Sequence, residues 1–139
     1  MLTANEHVEK AHQIIQEALA LDNGLPFPEF VHLLQAVIAN RKPRADSLPW
    51  LLLPIFACEA LTREALGRNM RRAQQVAAAL EVGRIAAACL DEWQDQDTDD
   101  ALWRSLGAAR TVNVATGLIP LSFLILSRLG NIGAEAPLI

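Results

Sequence analysis

Six carboxylates lie within the ten residues 91–100, Asp-Glu-Trp-Gln-Asp-Gln-Asp-Thr-Asp-Asp, and no lysine or arginine lies among them. The stretch directly follows an apolar, alanine-rich run (residues 85–90) that favours a helix. If that helix continues, Asp91 and Asp95 lie at i and i+4 on one face, where like charges repel by a few tenths of a kcal/mol. A divalent cation would remove this repulsion, because Mg²⁺ takes carboxylate oxygens and bridges them to substrate phosphates. The pattern therefore predicts Mg²⁺ ligands at Asp91 and Asp95, with a solvated helix end as the alternative.

A basic cluster, Arg41-Lys42-Pro43-Arg44, is the second group of residues that could do chemistry. Three cations around a proline indicate either a solvated loop or an anion site that faces the acidic stretch. The cysteines, Cys58 and Cys89, each lie in an apolar segment, which is typical of buried free thiols in a reducing compartment. The three histidines have no cysteine or histidine partner at ligand spacing, so the sequence does not predict a zinc site.

The composition predicts an all-α fold. Of the 139 residues, 52% are hydrophobic but only 5% are aromatic, and the apolar bulk is alanine and leucine, which are strong helix formers. This length predicts a single domain with a real core. The net charge of -4 argues against general nucleic-acid binding, which normally requires a basic patch.

The spacing of apolar residues and the positions of glycine and proline predict a bundle of about five to six helices. The first helix is expected to be capped by Thr3 or Asn5 and to end at 22–24, and the second to span about 29–40. The third should span about 50–66, contain Pro54 and end at Gly67. The fourth should span about 73–95 and the fifth about 102–129, with a bend at Gly117 and Pro120. Residues 130–139 are expected to form a flexible tail.

The longest apolar stretch, residues 112–126, contains several polar residues and Pro120. It is shorter than the roughly 20 residues that a membrane span needs. The first twenty residues are polar and amphipathic, unlike a signal peptide. We therefore expect a buried core helix at 112–126, no transmembrane segment, and a cytoplasmic location.

The order of these features resembles a known family. A basic loop is followed by an apolar helix that contains Glu59-Ala60-Leu61, then by an alanine-rich helix with an aspartate-rich end. The next helix opens Leu-Trp-Arg-Ser-Leu-Gly-Ala-Ala-Arg-Thr-Val-Asn at 102–113. Over about residues 41–129 this order is similar to the N-terminal half of the trans-isoprenyl diphosphate synthases, the polyprenyl synthetase family, and most of all to its divergent bacterial members. Residues 91–95 would be the first aspartate-rich motif, DDxxD, with Glu92 in place of its second aspartate.

The resemblance implies a bundle of long helices around an apolar cavity, in which Mg²⁺ ions hold the diphosphate of an allylic isoprenoid substrate. It implies that Asp91 and Asp95 are metal ligands and that Glu92 supports them. It also implies that the basic cluster binds the diphosphate through Arg44 foremost, with Lys42 and Arg41. The small side chains of Ala86 and Ala87 would leave room for a prenyl chain, although they also suit tight helix packing.

The chain departs from the family in three respects, which leave alternatives open. Family members are about twice as long, carry a second aspartate-rich motif in their other half, and have an arginine pair where this chain reads Asp-Thr-Asp-Asp-Ala at 97–101. The chain would then be a prenyltransferase-like protein or a half-length fragment of one, and activity would require a homodimer or a partner chain that supplies the second motif. One alternative is a non-catalytic helical protein that retains the fold and acts through self-association or a partner chain. Another is an all-α nucleotide pyrophosphatase, whose paired Glu-x-x-Glu motifs are met by Glu6 and Glu9 but not by Glu59 and Glu64.

Overall fold

The computed structural model describes residues 2–20, 28–41, 49–61, 66–95 and 102–129. These residues form six α-helices and no strand, which confirms the prediction of an all-α bundle. The helices are α1 (Ala4–Ala20), α2 (Pro28–Asn40), α3 (Pro49–Leu61), α4 (Leu66–Asp95), α5 (Leu102–Leu106) and α6 (Ala108–Ser127). The predicted stop at 22–24, residues Lys42 and Arg44 of the basic cluster, the acidic residues 96–100 and the tail 130–139 lie outside the described residues.

Thr3, one of the two caps that the sequence predicts, begins helix α1 in a capping box with Glu6. The backbone N–H and the hydroxyl of Thr3 donate to Oε2 of Glu6 at 2.6 and 2.9 Å, and the N–H of Glu6 donates to Oγ1 of Thr3 at 3.3 Å. These bonds satisfy N–H groups that have no partner within the helix. The apolar side of α1 then enters the core through Val8, Ala11, Ile15, Ala18 and Leu19.

Helix α4 is the centre of the bundle. Its 30 residues give it a length of about 45 Å, and it contacts α1, α3, α5 and α6. Alanines 73, 77, 78 and 86 are buried along it, and such small side chains allow neighbouring helices to approach closely. Helix α6 packs along α4 with a stripe at helical spacing: Thr111, Val114, Ala115, Leu118, Leu121 and Ile125.

The prediction of one continuous helix over 102–129 is wrong, because Gly107 separates α5 from α6. Gly107 has φ 82°, a backbone conformation that residues with a Cβ rarely adopt. Its N–H donates to the carbonyl of Trp103 at 2.8 Å, and its own carbonyl accepts the N–H of Thr111 at 3.1 Å. One glycine therefore ends α5 and begins α6.

The prediction that Gly67 ends the third helix is also wrong. Helix α3 ends at Leu61 and α4 begins at Leu66, so Gly67 lies in the first turn of α4 and this helix starts well before residue 73. A glycine within a helix costs only about 1 kcal/mol relative to alanine. The burial of the rest of α4 outweighs that cost.

Gly117 lies inside α6, where α2 approaches closely. A Cβ built on Gly117 would lie 2.6 Å from Cζ and 2.8 Å from Cε1 of Phe30. The absence of a side chain at Gly117 thus admits the Phe30 ring between the two helices.

Among the described residues, α6 alone is long and apolar enough to cross a membrane by length and composition. A core helix of a soluble protein can meet the same criterion. Only 33% of the most apolar stretch of α6 is buried, along the face that packs against α4. Ile119 and Phe123 on its other face are exposed, so the expectation of a buried core helix at 112–126 is met on one face only.

Candidate functional site

The two aspartates predicted as Mg²⁺ ligands lie at the carboxyl end of α4. The helix continues from the alanine-rich run through Asp95, so Asp91 and Asp95 are one turn apart, as predicted. Both side chains are exposed to solvent. The partial negative charge of a helix carboxyl end disfavours carboxylates, and it adds to the repulsion between the two aspartates.

Glu92, between them in sequence, faces α2 instead. Nη1 of Arg41 donates to its Oε1 at 2.7 Å, and Nη2 donates to its Oε2 at 2.5 Å. The side chains of Arg41 and Glu92 are only 20% and 24% exposed, and these hydrogen bonds raise the pKa of Arg41. Such two-bond arginine–carboxylate pairs are strong and geometrically specific. The structure therefore pairs two residues that the sequence assigned to different ligands, a metal ion and a diphosphate.

A second arginine–glutamate pair lies two to three turns earlier on α4. Arg84 donates to Glu81 through Nε and Nη2, both at 2.8 Å, and the side chain of Glu81 is only 1% exposed. The hydrogen bonds to Glu81 raise the pKa of Arg84, and the nearby charge of Arg41 opposes that shift. This pair was not predicted from the sequence. Its only signal is the i, i+3 spacing, and the burial of Glu81 depends on the packing of other helices.

We call Arg41, Glu81, Arg84 and Glu92 the arginine–glutamate cluster. Cys89 lies beside it and is fully buried. Burial raises the pKa of its thiol, Glu92 adds to that effect, and the positive charges of Arg41 and Arg84 oppose it. Two guanidinium groups balance two carboxylates, so the cluster is neutral overall and leaves the charges of Asp91 and Asp95 without compensation from it.

The described residues contain no group of three or more His, Cys, Asp or Glu side chains that could hold a metal ion together. Asp91 and Asp95 could supply two carboxylates. This suits Mg²⁺, which keeps several waters and binds through one or two carboxylates and substrate phosphates rather than an all-protein cage. A third His, Cys, Asp or Glu ligand would have to come from outside the described part of the chain or from another chain.

Ala86 and Ala87, the residues expected to line a prenyl cavity, lie on different sides of α4. Ala86 is 1% exposed and belongs to the core, whereas Ala87 is exposed. Ala86 therefore serves helix packing, the alternative role that the sequence left open. A prenyl cavity at these two positions stays a prediction.

The glutamates of the pyrophosphatase alternative are dispersed. The Glu6 carboxylate is held by Thr3 in the capping box, Glu9 is exposed on α1, and Glu64 lies outside the described residues. Glu59 on α3 lies 3.8 Å from Nε2 of the buried His7. Neither ring nitrogen of His7 has a hydrogen-bond partner within the described structure. The described residues thus do not bring two Glu-x-x-Glu motifs together.

Comparison with family models, curated proteins and solved structures gives no match to this chain. The case for a function therefore depends on the residues of the chain and on their arrangement.

Proposed function

We propose that the chain is an isoprenyl diphosphate synthase-like (prenyltransferase) protein that binds an allylic isoprenoid diphosphate through Mg²⁺ held by Asp91 and Asp95. It would act as a homodimer or with a partner chain that supplies the second aspartate motif. One observation carries the proposal: the end of α2, where the basic cluster begins, is bound directly to the last turn of α4, which carries both aspartates.

The electrostatics of this end of α4 favour a cation. Two exposed carboxylates lie one turn apart at the negative end of a 30-residue helix, and the nearby arginines are already paired with Glu81 and Glu92. Each of these features disfavours the apo arrangement by a few tenths of a kcal/mol. A bound divalent cation would convert the same features into favourable interactions.

The Arg41–Glu92 pair would position the diphosphate contacts. Lys42 and Arg44 follow Arg41 directly in the chain, so anchoring Arg41 on α4 brings the start of the basic cluster to the aspartates. In this proposal Arg44 and Lys42 contact the diphosphate, while Arg41 holds the segment in place. Bound Mg²⁺ would neutralise the departing diphosphate as the carbon–oxygen bond of the substrate ionises.

Calorimetry tests this proposal. Wild type should bind geranyl or farnesyl diphosphate in the presence of Mg²⁺, and chelating the metal should abolish the binding. The double variant Asp91→Asn/Asp95→Asn keeps side-chain size but removes both charges, so it should lose Mg²⁺-dependent binding. Glu29→Gln, an exposed carboxylate in the first turn of α2, is the control and should bind like wild type. Absent binding, or binding that persists in the double variant, would contradict the proposal.

Exposed apolar residues favour a second candidate, a non-catalytic helical protein that acts through self-association. Leu53 and Phe56 on α3 are 58% and 50% exposed, and Phe123 on α6 is 65% exposed. Large exposed apolar side chains that form a contiguous patch mark interaction surfaces. Sedimentation velocity on wild type, Phe56→Ser and Phe123→Ser tests this candidate, which predicts self-association that the substitutions weaken and no Mg²⁺-dependent diphosphate binding.

A further inference from the structure

A pocket of about 490 Å³ lies between α1, the first half of α4 and the residues that follow α6. It is far from the aspartate site, because Arg71 in the pocket and Asp95 are 24 residues apart on α4, or about 36 Å at 1.5 Å per residue. Helix α1 contributes Lys10, Gln13, Ile14 and Glu17, and α4 contributes Arg71, Gln74 and Gln75. The i, i+3, i+4 spacing places each set on one face of its helix.

The pocket concentrates positive charge in a chain whose net charge is -4. Lys10, Arg71 and Arg128 line it, and Glu17 is the one acidic side chain among its described lining residues. Within the described part of the chain, none of these three cations has a carboxylate within salt-bridge distance, whereas Arg41 and Arg84 are both paired. The Glu17 carboxylate accepts a hydrogen bond from Nε2 of Gln13 at 2.8 Å.

Two buried amides also line the pocket. Nε2 of Gln75 donates to the carbonyl of Ile125 at 2.8 Å, which fixes α4 against the end of α6. Gln74, like Gln75, is only 7% exposed, yet it makes no side-chain hydrogen bond to the other described residues. No amide atom of Gln74 is among the fully buried polar atoms that lack a partner, so this amide reaches solvent in the pocket, where a ligand could replace water as its partner.

We propose that this pocket binds the phosphate or diphosphate group of a small anionic ligand between Lys10, Arg71 and Arg128, with Gln74 as a neutral hydrogen-bond donor. Charge-assisted bonds from arginine and lysine to phosphate oxygens are short and strong. The volume lies within the range of small-molecule sites, about 300 to 1,000 Å³, and would accept a diphosphate with a small organic group. The site requires no metal, and it stands independently of the proposed prenyltransferase function.

Titration with inorganic diphosphate at low ionic strength, in the presence of a chelator, tests the proposal. Wild type should show saturable, metal-independent binding, and Arg71→Gln and Arg128→Gln should each weaken it about tenfold, the value of one lost charge-assisted contact. Gln74→Leu should also weaken it. Arg72→Gln is the matched control, because Arg72 is the next residue on α4, is exposed, and does not line the pocket.

The double variant Asp91→Asn/Asp95→Asn separates the two proposals, since it should retain this metal-free binding in full. Circular dichroism and thermal unfolding would show that each variant is folded. The proposal is overturned if wild type gives no saturable binding under these conditions. It is also overturned if Arg72→Gln weakens binding as much as Arg71→Gln does, because that result indicates a diffuse surface charge effect.

Discussion

The guanidinium of Arg41 and the carboxylate of Glu92 share two hydrogen bonds that join the end of α2 to the last turn of α4 across 51 residues of sequence. The pair is about four-fifths buried. Its contribution to stability should therefore lie between that of an exposed ion pair, up to about 1 kcal/mol, and that of a fully buried one. We expect Arg41→Ala to lower the free energy of unfolding by about 1 to 3 kcal/mol, because Glu92 keeps its charge and loses its guanidinium partner. Urea unfolding measures the change.

A double-mutant cycle with Glu92→Gln isolates this interaction from the other contacts of each side chain. The exposed Arg72→Ala is the control and should change stability by no more than about 0.5 kcal/mol. A coupling energy near zero would mean that the two hydrogen bonds contribute nothing net to stability.

We expect Arg84 to contribute more to the stability of the fold than its half-exposed position suggests, because it is paired with Glu81. The Glu81 carboxylate is 1% exposed and depends on two hydrogen bonds from Arg84, so Arg84→Met leaves a buried charge without compensation. We expect a loss of about 2 to 4 kcal/mol in the free energy of unfolding. Adding Glu81→Leu should restore part of that loss, because the pair of apolar residues no longer buries a charge. A double variant that is less stable than Arg84→Met would refute this explanation.

The buried thiol of Cys89 predicts a pH dependence in the alkaline range. Burial raises its pKa in the folded protein, so the unfolded thiol loses its proton at lower pH than the folded one. The resulting contribution to stability is fully present below the ordinary thiol pKa of about 8.5 and is lost as pH rises above it. Urea unfolding at neutral and alkaline pH, in wild type and Cys89→Ala, should show a steeper alkaline loss in wild type.

Cys58→Ser is the control for this thiol effect, since Cys58 is only partly buried and Cys89 remains in that variant. It should keep the steeper alkaline loss. Equal slopes in wild type and Cys89→Ala would show that another group causes the pH dependence.

Alanine substitutions at three glycines should change the stability of the protein by different amounts, according to the backbone conformation and the free space at each position. A Cβ on Gly83 or on Gly107 meets no atom within 4 Å, but only Gly107 has a positive φ. Gly83→Ala within α4 should therefore stabilise the protein by about 0.5 to 1 kcal/mol, and Gly107→Ala should destabilise it by about 1 to 2 kcal/mol through strain alone. Gly117→Ala should destabilise by displacing the Phe30 ring, and Phe30→Leu should relieve that effect. Thermal unfolding of the set measures these changes.

The fold was more predictable from sequence than the site. The 3.6-residue pattern and the Thr3 cap indicate helices correctly because they are local signals, and Asp91 and Asp95 follow from the continuation of α4. The break at Gly107 was missed because glycine is also tolerated inside helices, as Gly83 and Gly117 show. The Arg41–Glu92 pair could not be predicted, because it depends on how α2 docks against a residue 51 positions away. The Lys10–Arg71–Arg128 pocket has no sequence signal, since its cations come from three distant segments.

The hydrogen bond from Gln75 to the carbonyl of Ile125 affects how the bundle opens. That carbonyl also accepts the backbone N–H of Arg128, so the end of α6 is fastened to the interior of α4. Free helix ends usually exchange their amide hydrogens through local fraying, well below the free energy of global unfolding. Here the last turn of α6 should instead exchange in the same cooperative step as α4, and the pocket lined by Lys10, Arg71 and Arg128 beside it should persist until the core itself unfolds.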